Sequence, residues 1–448
     1  MAERWVVFGL APARAAWFAE LSRWATSGSV PIEFVKHQSA EELRASLAAG
    51  RPVSAALVDG SSQSVDRDLL VNAAAAGCPV VVVGPAGRDW GALGAAAALG
   101  DPFDPGQLLD VLVAIAAPVG EVDHVPGDAA PALPDRAPGR LIAVCGPGGT
   151  GASTVAVALA EGLATPIGAR RRRVTPELGG PADVVLADLR RNAEQGMLHD
   201  TRDVLLGVEE LVELHRAANP PPGRVRELTI AVPERGYDLL VGLRRSRAWA
   251  TVRPQAFIAA LAGLRTAYGT VVADVDADVE GETEGGSRDV EERNAMARTT
   301  MLDADGVLVV GAPGLKGAHA LVRVLHDLAG LGVEPERLVP VVARAPRGAA
   351  ARAELTAAIA ALAGLATDRP HPTVFLPERK VDEAFRDGTP MPADLTSTLS
   401  TVVEGLLRRH GANAASAPGA AAKRVAPGSL GALASVAASE PGEGWDSW

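Results

Sequence analysis

Short apolar runs alternate with segments of helical periodicity along most of the chain. Within the first 117 residues, four such runs have the length of a short buried strand. Helix starts are predicted at Ser39, three residues before Glu42 as in a capping box, and at Asp104, which is followed by Pro105. This alternation favours a parallel sheet with helices on both faces. The predicted strands are Trp5–Phe8, Ile32–Val35, Ala55–Val58 and Val80–Val83.

The same alternation returns after residue 140, where the apolar runs are almost uninterrupted. Such runs are typical of central parallel strands, which are buried on both faces. Between residues 318 and 331, Leu321, Leu325 and Leu328 recur at helical spacing, which predicts a helix packed on the sheet. The predicted strands here are Leu141–Val144, Val184–Ala187, Val271–Ala273, Val307–Val310 and Leu338–Val342.

Local composition separates two domains, a linker and a tail. Residues 118–139 are irregular and rich in proline, which predicts a linker. From residue 411 onward Ala, Gly, Pro and Ser dominate, which predicts a disordered tail. The expected organisation is an α/β domain at 1–117, the linker at 118–139, a doubly wound α/β domain at 140–410 and the tail at 411–448.

Composition and charge exclude several classes of protein. The chain has 448 residues, of which 48% are hydrophobic, so both domains can bury a core. Its net charge of −11 excludes an overall basic surface for nucleic acid and leaves local clusters at Arg170–Arg173 and Arg244–Arg247. Two cysteines exclude a disulfide framework and favour the cytoplasm. No apolar run approaches the roughly 18 residues of a membrane span, so no integral membrane segment is expected.

The segment Leu141–Ala164 reads as an apolar strand, a glycine-rich turn and an apolar helix. Glycines allow backbone N–H groups to converge, and a helix N-terminus adds positive potential, so this arrangement suits a phosphate group. The hydroxyl of Ser153 is a candidate magnesium ligand. A tight glycine turn without a ligand is the alternative interpretation. The candidate cofactor-binding residues are Gly148, Gly149, Thr150, Gly151, Ala152, Ser153 and Thr154.

This loop resembles the deviant P-loop of the MinD/ParA family, which reads K-G-G-x-G-K-[ST]-T. The glycines and hydroxyls match, but Pro147 replaces the signature lysine and Ala152 replaces the P-loop lysine. The sequence looks closest to the actinobacterial septum site-determining proteins and to the CpaE/TadZ branch of Flp pilus assembly. The resemblance implies ATP and Mg²⁺ as ligands. Because one charged hydrogen bond contributes roughly 1.5–3 kcal/mol, we expect weak binding and at most a weak ATPase.

Further segments resemble other landmarks of the same family. Asp188 matches the first acid of a D-x-D pair, and Arg190 stands where the second acid would be. Asp274 ends a strand that resembles the Walker B strand. The resemblance implies catalytic roles for Asp188 and Asp274 and a metal site at Ser153 and Asp274. Ala343 occupies the place of an adenine-reading asparagine, which weakens recognition of the base.

Residues 4–117 resemble a response-regulator receiver domain. Asp59 follows a predicted strand at the position of the phosphorylated aspartate, and Asp101 replaces the lysine of the receiver K-P-F turn. The first predicted strand ends at Phe8 and is followed by Gly9, Leu10 and Ala11 rather than by an acidic pair, so no magnesium site is evident. We therefore expect a pseudo-receiver that serves for docking, with Asp59 as a cap at the strand end.

Together these resemblances imply a cytoplasmic spatial regulator of septum placement in cell division, recruited to the septum or a pole. They imply assembly with further copies and with cell-division or pilus and secretion proteins. Two alternatives stay open. The chain is a nucleotide-independent scaffold or localisation factor for the Flp/Tad pilus, or it is a DNA-binding partition protein that uses Arg170–Arg173.

Overall fold

Most of the chain is described by a computed structural model. Residues up to Val402 form one compact unit, and a second unit begins at Val403, of which only the end of a long helix is described. Within the described residues, no helix combines the length and the apolar character needed to cross a membrane. The described residues are 5–12, 14–84, 87–119, 138–164, 183–201, 206–282, 286–363 and 372–416, with side chains described up to 409.

The first sheet has five parallel strands in the order β2-β1-β3-β4-β5, which is the flavodoxin-like arrangement. The four predicted strands are confirmed. The fifth was missed because it is only three residues long and begins with two alanines that are not buried. The strands are β1 Trp5–Leu10, β2 Ile32–His37, β3 Ala55–Asp59, β4 Val80–Val83 and β5 Ala97–Leu99, and the helices are α1 Ala16–Ser27, α2 Ala40–Ala48, α3 Arg67–Ala75 and α4 Pro105–Ile115.

The predicted helix starts of this domain are confirmed in atomic detail. The Ser39 side chain accepts a hydrogen bond from the Glu42 N–H at the start of α2. At α4 the Asp104 side chain accepts from the Gln107 N–H, the Gln107 side chain accepts from the Asp104 N–H, and Pro105 takes the first helical position. These caps satisfy N–H groups that a helix leaves without partners.

The second sheet has eight strands in the order β13-β12-β11-β6-β10-β7-β9-β8. All neighbours are parallel except the edge pair β8 and β9. The chain builds outward from β6 in both directions, so the sheet is doubly wound as expected. The strands are β6 Arg140–Cys145, β7 Val184–Asp188, β8 Ile230–Val232, β9 Tyr237–Leu240, β10 Thr270–Asp274, β11 Gly306–Gly311, β12 Leu338–Ala345 and β13 Val374–Pro377.

Helices pack on this sheet, and the predicted helix over 318–331 is confirmed with a start at Leu315. The last helix runs past residue 410, where the tail was expected to begin. The α-helices are α5 Ala152–Ala164, α6 Gln195–Leu198, α7 Val208–Ala217, α8 Pro222–Arg226, α9 Pro254–Ala267, α10 Arg288–Asp303, α11 Leu315–Leu331, α12 Ala349–Ala363, α13 Asp382–Arg386 and α14 Ala393–Ser416, and the 3-10 helices are Ser246–Thr251 and Pro335–Arg337.

Three central strands position the candidate site. In the register of β10 and β7, Asp274 lies opposite Asp188, and on its other side Asp274 lies opposite Val144 of β6. Since parallel strands end at the same edge of a sheet, both acids and the loop after β6 meet there. The strands are buried on both faces, and Cys145 in β6 is fully buried, as is Cys78 in the first domain.

The first sheet's domain contacts the second through helix α3. The guanidinium of Arg67 donates to the backbone carbonyls of His215 at 2.8 Å and Ala218 at 3.4 Å. The neighbouring Asp68 accepts from the backbone N–H of Gln255 at 3.0 Å. Arg67 and Asp68 are both buried, so the contact is a shielded polar interface within one compact unit.

Candidate functional site

The glycine-rich loop lies between the end of β6 and the start of α5. At Gly146 a Cβ would lie 2.3 Å from the Val310 carbonyl oxygen, so only glycine fits there. Gly149 and Gly151 have φ values of 76° and 93°, which are left-handed conformations that favour glycine. The Thr150 hydroxyl donates to the Pro147 carbonyl oxygen at 2.7 Å and closes the turn. The sequence of the loop therefore matches its backbone path.

The outer side of this turn faces open space. A Cβ added at Gly148, Gly149 or Gly151 would meet no atom within 4 Å. In the described part of the chain, no acceptor bonds to the N–H groups of Gly148 and Gly149. These donors lie at the start of the 13-residue helix α5, whose N-terminus carries partial positive charge. The loop can therefore present N–H groups to an anion.

Three predicted site residues come together behind the loop. Asp188 and Asp274 have no exposed surface, and Ser153 is only 7% exposed. One Asp188 oxygen accepts from the Arg190 N–H at 3.3 Å, and the other accepts from the Gln195 N–H at 2.8 Å. Both oxygens of Asp188 are therefore occupied by backbone donors, which hold it as a structural acceptor.

The Arg190 side chain lies between the Ser153 hydroxyl and the Asp274 carboxylate. Its Nη1 donates to the Ser153 Oγ at 3.0 Å and lies 3.9 Å from Asp274 Oδ1. Its Nε lies 3.7 Å from Asp276 Oδ1. The side chain is 16% exposed, so the guanidinium is held at the edge of the polar cluster. Arg190 thus brings a positive charge to the polar cluster behind the loop.

Burial is the largest influence on the pKa values of Asp188 and Asp274. It raises the pKa of Asp188 to about 7, and the neighbouring charge of Asp274 acts in the same direction. Burial also raises the pKa of Asp274, while Arg190 opposes the rise. Two carboxylates on adjacent strands therefore share one cationic neighbour in a site shielded from water.

Two residues that the sequence did not single out complete the cluster. Gln195 is fully buried, and its Nε2 donates to Asp274 Oδ2 at 2.7 Å and to the Ser153 carbonyl oxygen at 3.2 Å. Arg344 is exposed, has a φ of 53°, and donates from Nη2 to the Gly149 carbonyl oxygen at 2.9 Å. It follows the buried Ala343 in β12, so an exposed arginine contacts the loop from the end of that strand.

The residues present do not fit Mg²⁺ as they are arranged. Asp274 Oδ1 has no hydrogen-bond partner among the described residues, which is what a metal ligand would show. However, a Mg²⁺ ion bound about 2.1 Å from the Ser153 Oγ would lie at most about 5 Å from Arg190 Nη1. Two cations at that separation repel. Across the described ranges, no group of three or more His, Cys, Asp or Glu side chains could hold a metal, so a Mg²⁺ ion here would depend on Ser153, Asp274, phosphate oxygens and water.

The receiver-like domain holds Asp59 firmly. Its Oδ2 accepts from the Trp17 indole N–H at 3.0 Å, and its Oδ1 accepts from the Ser61 N–H at 2.8 Å. The side chain caps the end of β3, as the sequence suggested. A carboxylate with both oxygens engaged and little exposure is poorly placed to accept a phosphoryl group.

The basic clusters give little support to a nucleic-acid surface. Arg244 is paired with Glu209 and Glu210, so its charge is neutralised locally. The cluster at 170–173 lies outside the described residues. Arg245 and Arg247 of the same cluster are exposed, so two arginines there face solvent beside the paired Arg244.

Comparison with known proteins gives similarity in fold. No protein-family model matches the chain, and no curated protein matches its sequence. A ParA family ATPase from Chlorobium tepidum TLS is 15% identical with a TM-score of 0.43, and the match covers 60% of this chain and 98% of that one. The Pyrococcus furiosus cell division ATPase MinD is 17% identical with a TM-score of 0.41, over 60% and 99%. A response regulator receiver protein from Pseudomonas putida is 24% identical with a TM-score of 0.22, over 25% and 99%.

Proposed function

We propose that this chain is a MinD/ParA-like spatial regulator that binds ATP weakly at a degenerate loop and acts in septum placement. The observation that carries the proposal is the open turn at 146–151 between β6 and α5, beside Asp188 and Asp274 on neighbouring strands. A ligand there meets free N–H groups and the positive end of a helix, which together favour phosphate. The motifs of the sequence support the same assignment.

The same site supports binding far better than turnover. Pro147 and Ala152 bring no charge to the phosphate oxygens, and both oxygens of Asp188 are already bonded to backbone N–H groups. Fast hydrolysis requires neutralisation of the charge on the transferring phosphoryl group and an oriented water. We therefore expect slow hydrolysis or none, and place the function in nucleotide-dependent docking.

The first domain fits a docking role in this proposal. Asp59 is held by Trp17, and α3 is fixed to the second domain through Arg67 and Asp68. A pseudo-receiver held in one arrangement presents a constant surface to a partner. The proposed partners are cell-division proteins and further copies of the chain, in the cytoplasm and at the septum or a pole.

A second candidate function is a nucleotide-independent scaffold for cell division or for the Flp/Tad pilus. The observation that favours it is the hydrogen bond from Arg190 to Ser153, because the protein already satisfies the hydroxyl that a metal and nucleotide would use. In this alternative the site is a structural polar cluster, and partner binding is insensitive to ATP.

A fluorescent fusion of the full chain, followed in dividing cells, tests both candidates. The variant Ser153→Ala removes the hydroxyl behind the loop, and Ser27→Ala, at an exposed position on α1, is the matched control. Septal or polar foci that weaken only with Ser153→Ala support the nucleotide-dependent regulator. Foci that survive it, or that follow the pilus apparatus, support the scaffold, and a diffuse signal throughout contradicts both.

A further inference from the structure

We propose that the Arg190 guanidinium takes the place of the divalent cation at this loop, so that the chain binds the polyphosphate of ATP in its metal-free form. The inference rests on the proposed nucleotide site and specifies which form of the nucleotide it takes. It follows from the position of Arg190, which stands where the resembling family has an acid and which donates a hydrogen bond to the candidate metal ligand Ser153.

The backbone around Arg190 holds the side chain in that position. Its N–H bonds to Asp188 at the end of β7, and the next residue, Arg191, is tied to Asp276 at 2.9 and 3.0 Å and to Asp278 at 3.2 Å. The backbone before and after the Arg190 side chain is therefore anchored to the end of β7 and to the loop that follows β10. The guanidinium itself is held by its bond to Ser153 and by the nearby carboxylates of Asp274 and Asp276.

Unused donors remain on this guanidinium. Nη1 is bonded to Ser153, the buried Nε lies 3.7 Å from Asp276 Oδ1 without a hydrogen bond, and no described residue accepts a hydrogen bond from Nη2. A planar guanidinium with free N–H groups suits phosphate oxygens, which it contacts through parallel hydrogen bonds. A fixed cation with free donors thus lies behind the loop.

A second arginine lies on the other side of the loop. Arg344 donates to the Gly149 carbonyl oxygen and is exposed, so its remaining N–H groups can reach a ligand on the open side. Arg190 and Arg344 together bring two positive charges to a loop that has neither of the family's lysines. Because Asp274 and Asp276 lie within 4 Å of the Arg190 guanidinium, Arg344 supplies positive charge that these carboxylates do not offset.

This arrangement makes a distinctive prediction about Mg²⁺. In solution Mg²⁺ coordinates the same phosphate oxygens that the arginines would contact, so excess Mg²⁺ competes with the protein for ATP. In a site that uses Mg²⁺ as a bridge, the metal instead strengthens binding. The sign of the Mg²⁺ effect on affinity therefore separates the two cases.

Isothermal titration calorimetry of the full chain with ATP, in EDTA and in excess MgCl₂, measures that sign. We expect wild type to bind in EDTA and to lose about ten-fold in affinity in MgCl₂, equivalent to one lost charged contact. Arg190→Ala should lose about ten-fold in EDTA and no longer be weakened by MgCl₂. Arg190→Lys should lie between them, and it covers the case in which Arg190→Ala does not fold. Arg23→Ala, at an exposed arginine of α1 in the first domain, is the control for the loss of one arginine and should behave as wild type.

Each other outcome overturns the inference. If wild type binds ATP only with Mg²⁺, the inference falls and the nucleotide-binding function stands. If wild type binds ATP in neither condition, both fall. If Arg190→Ala and Arg190→Lys bind as wild type does in EDTA, the cation at this site is not Arg190, and the inference falls alone.

Discussion

Asp68 accepts a hydrogen bond from the backbone N–H of Ala256 at 3.2 Å, which joins α3 of the first domain to the start of α9 in the second. Helix α9 has no side-chain cap of its own, so a residue from the other domain satisfies its free N–H groups. We expect Asp68→Ala to lower the free energy of unfolding by about 1–2 kcal/mol, the usual loss for a missing cap. Urea denaturation of the full chain measures this loss.

The control for that measurement is Asp110→Ala, at an exposed position on α4. It should change the free energy of unfolding by less than about 0.5 kcal/mol, as surface substitutions usually do. Equal effects of the two substitutions would show that Asp68 adds nothing beyond a surface charge.

Asp188 gives the protein a specific dependence on pH. Its pKa of about 7 means that the native state binds more protons than the unfolded chain between roughly pH 4 and 7. The contribution of Asp188 to the free energy of unfolding is fully present at acid pH and is lost as the pH rises through that window. Asparagine can accept only one of the two backbone N–H bonds that Asp188 accepts, so Asp188→Asn loses one hydrogen bond at every pH. We therefore expect the free energy of unfolding of Asp188→Asn, relative to wild type, to be higher by about 2–3 kcal/mol at pH 8 than at pH 5. Urea titrations at both pH values measure the difference from wild type, and a difference independent of pH would contradict the assignment.

Two glycines of the loop separate backbone strain from crowding. A Cβ meets open space at both Gly148 and Gly151, but only Gly151 has a left-handed φ, of 93°. We expect Gly151→Ala to lower the free energy of unfolding by about 1–2 kcal/mol and Gly148→Ala to change it by less than about 0.5 kcal/mol. Thermal or urea unfolding compares them. Similar losses at both positions would contradict the assignment of backbone strain to the left-handed φ of Gly151 alone.

Arg344 combines backbone strain with a contact to the loop. Glycine at this position relieves the left-handed φ of 53° but removes the bond to the Gly149 carbonyl oxygen. We expect Arg344→Gly to leave the free energy of unfolding within about 1 kcal/mol of wild type and to weaken ATP binding in EDTA about three- to ten-fold. Calorimetry measures the affinity, with Arg347→Gly, at a nearby exposed arginine, as the control. An affinity equal to that of wild type would remove Arg344 from the site.

The first domain should not accept a phosphoryl group. Both oxygens of Asp59 are engaged by Trp17 and Ser61, and β1 is followed by no acidic pair. After incubation with acetyl phosphate and MgCl₂, we expect an unchanged intact mass for the full chain. A response regulator known to react is the positive control. A mass gain of one phosphoryl group that disappears in Asp59→Asn would contradict the pseudo-receiver.

The buried strands could be predicted from sequence because each is a continuous apolar run. The strands that were missed lie away from the centres of the sheets. Strand β5 has three residues, and the edge strand β8 has no fully buried residue. A short or half-exposed strand carries no apolar run, and its pairing depends on distant chain segments.

The candidate site was predicted only in part, for a similar reason. Apolar strands lead directly to Ser153, Asp188 and Asp274. Because the carboxyl ends of parallel strands lie at one edge of a sheet, local sequence patterns were enough to predict that these three residues lie close together. Gln195 lies in a helix of four residues with no motif around it, and Arg344 depends on a shift in register between β12 and β13. Their contacts arise from tertiary packing, which spacing in the sequence does not express.

The two buried cysteines have a practical consequence. Cys78 lies in the first domain and Cys145 in the second, and burial raises the pKa of each thiol to about 12. A buried thiol in its protonated form is inert until its surroundings open. Each domain thus contains one buried free thiol. The order in which the two thiols react with a labelling reagent reports which domain opens first.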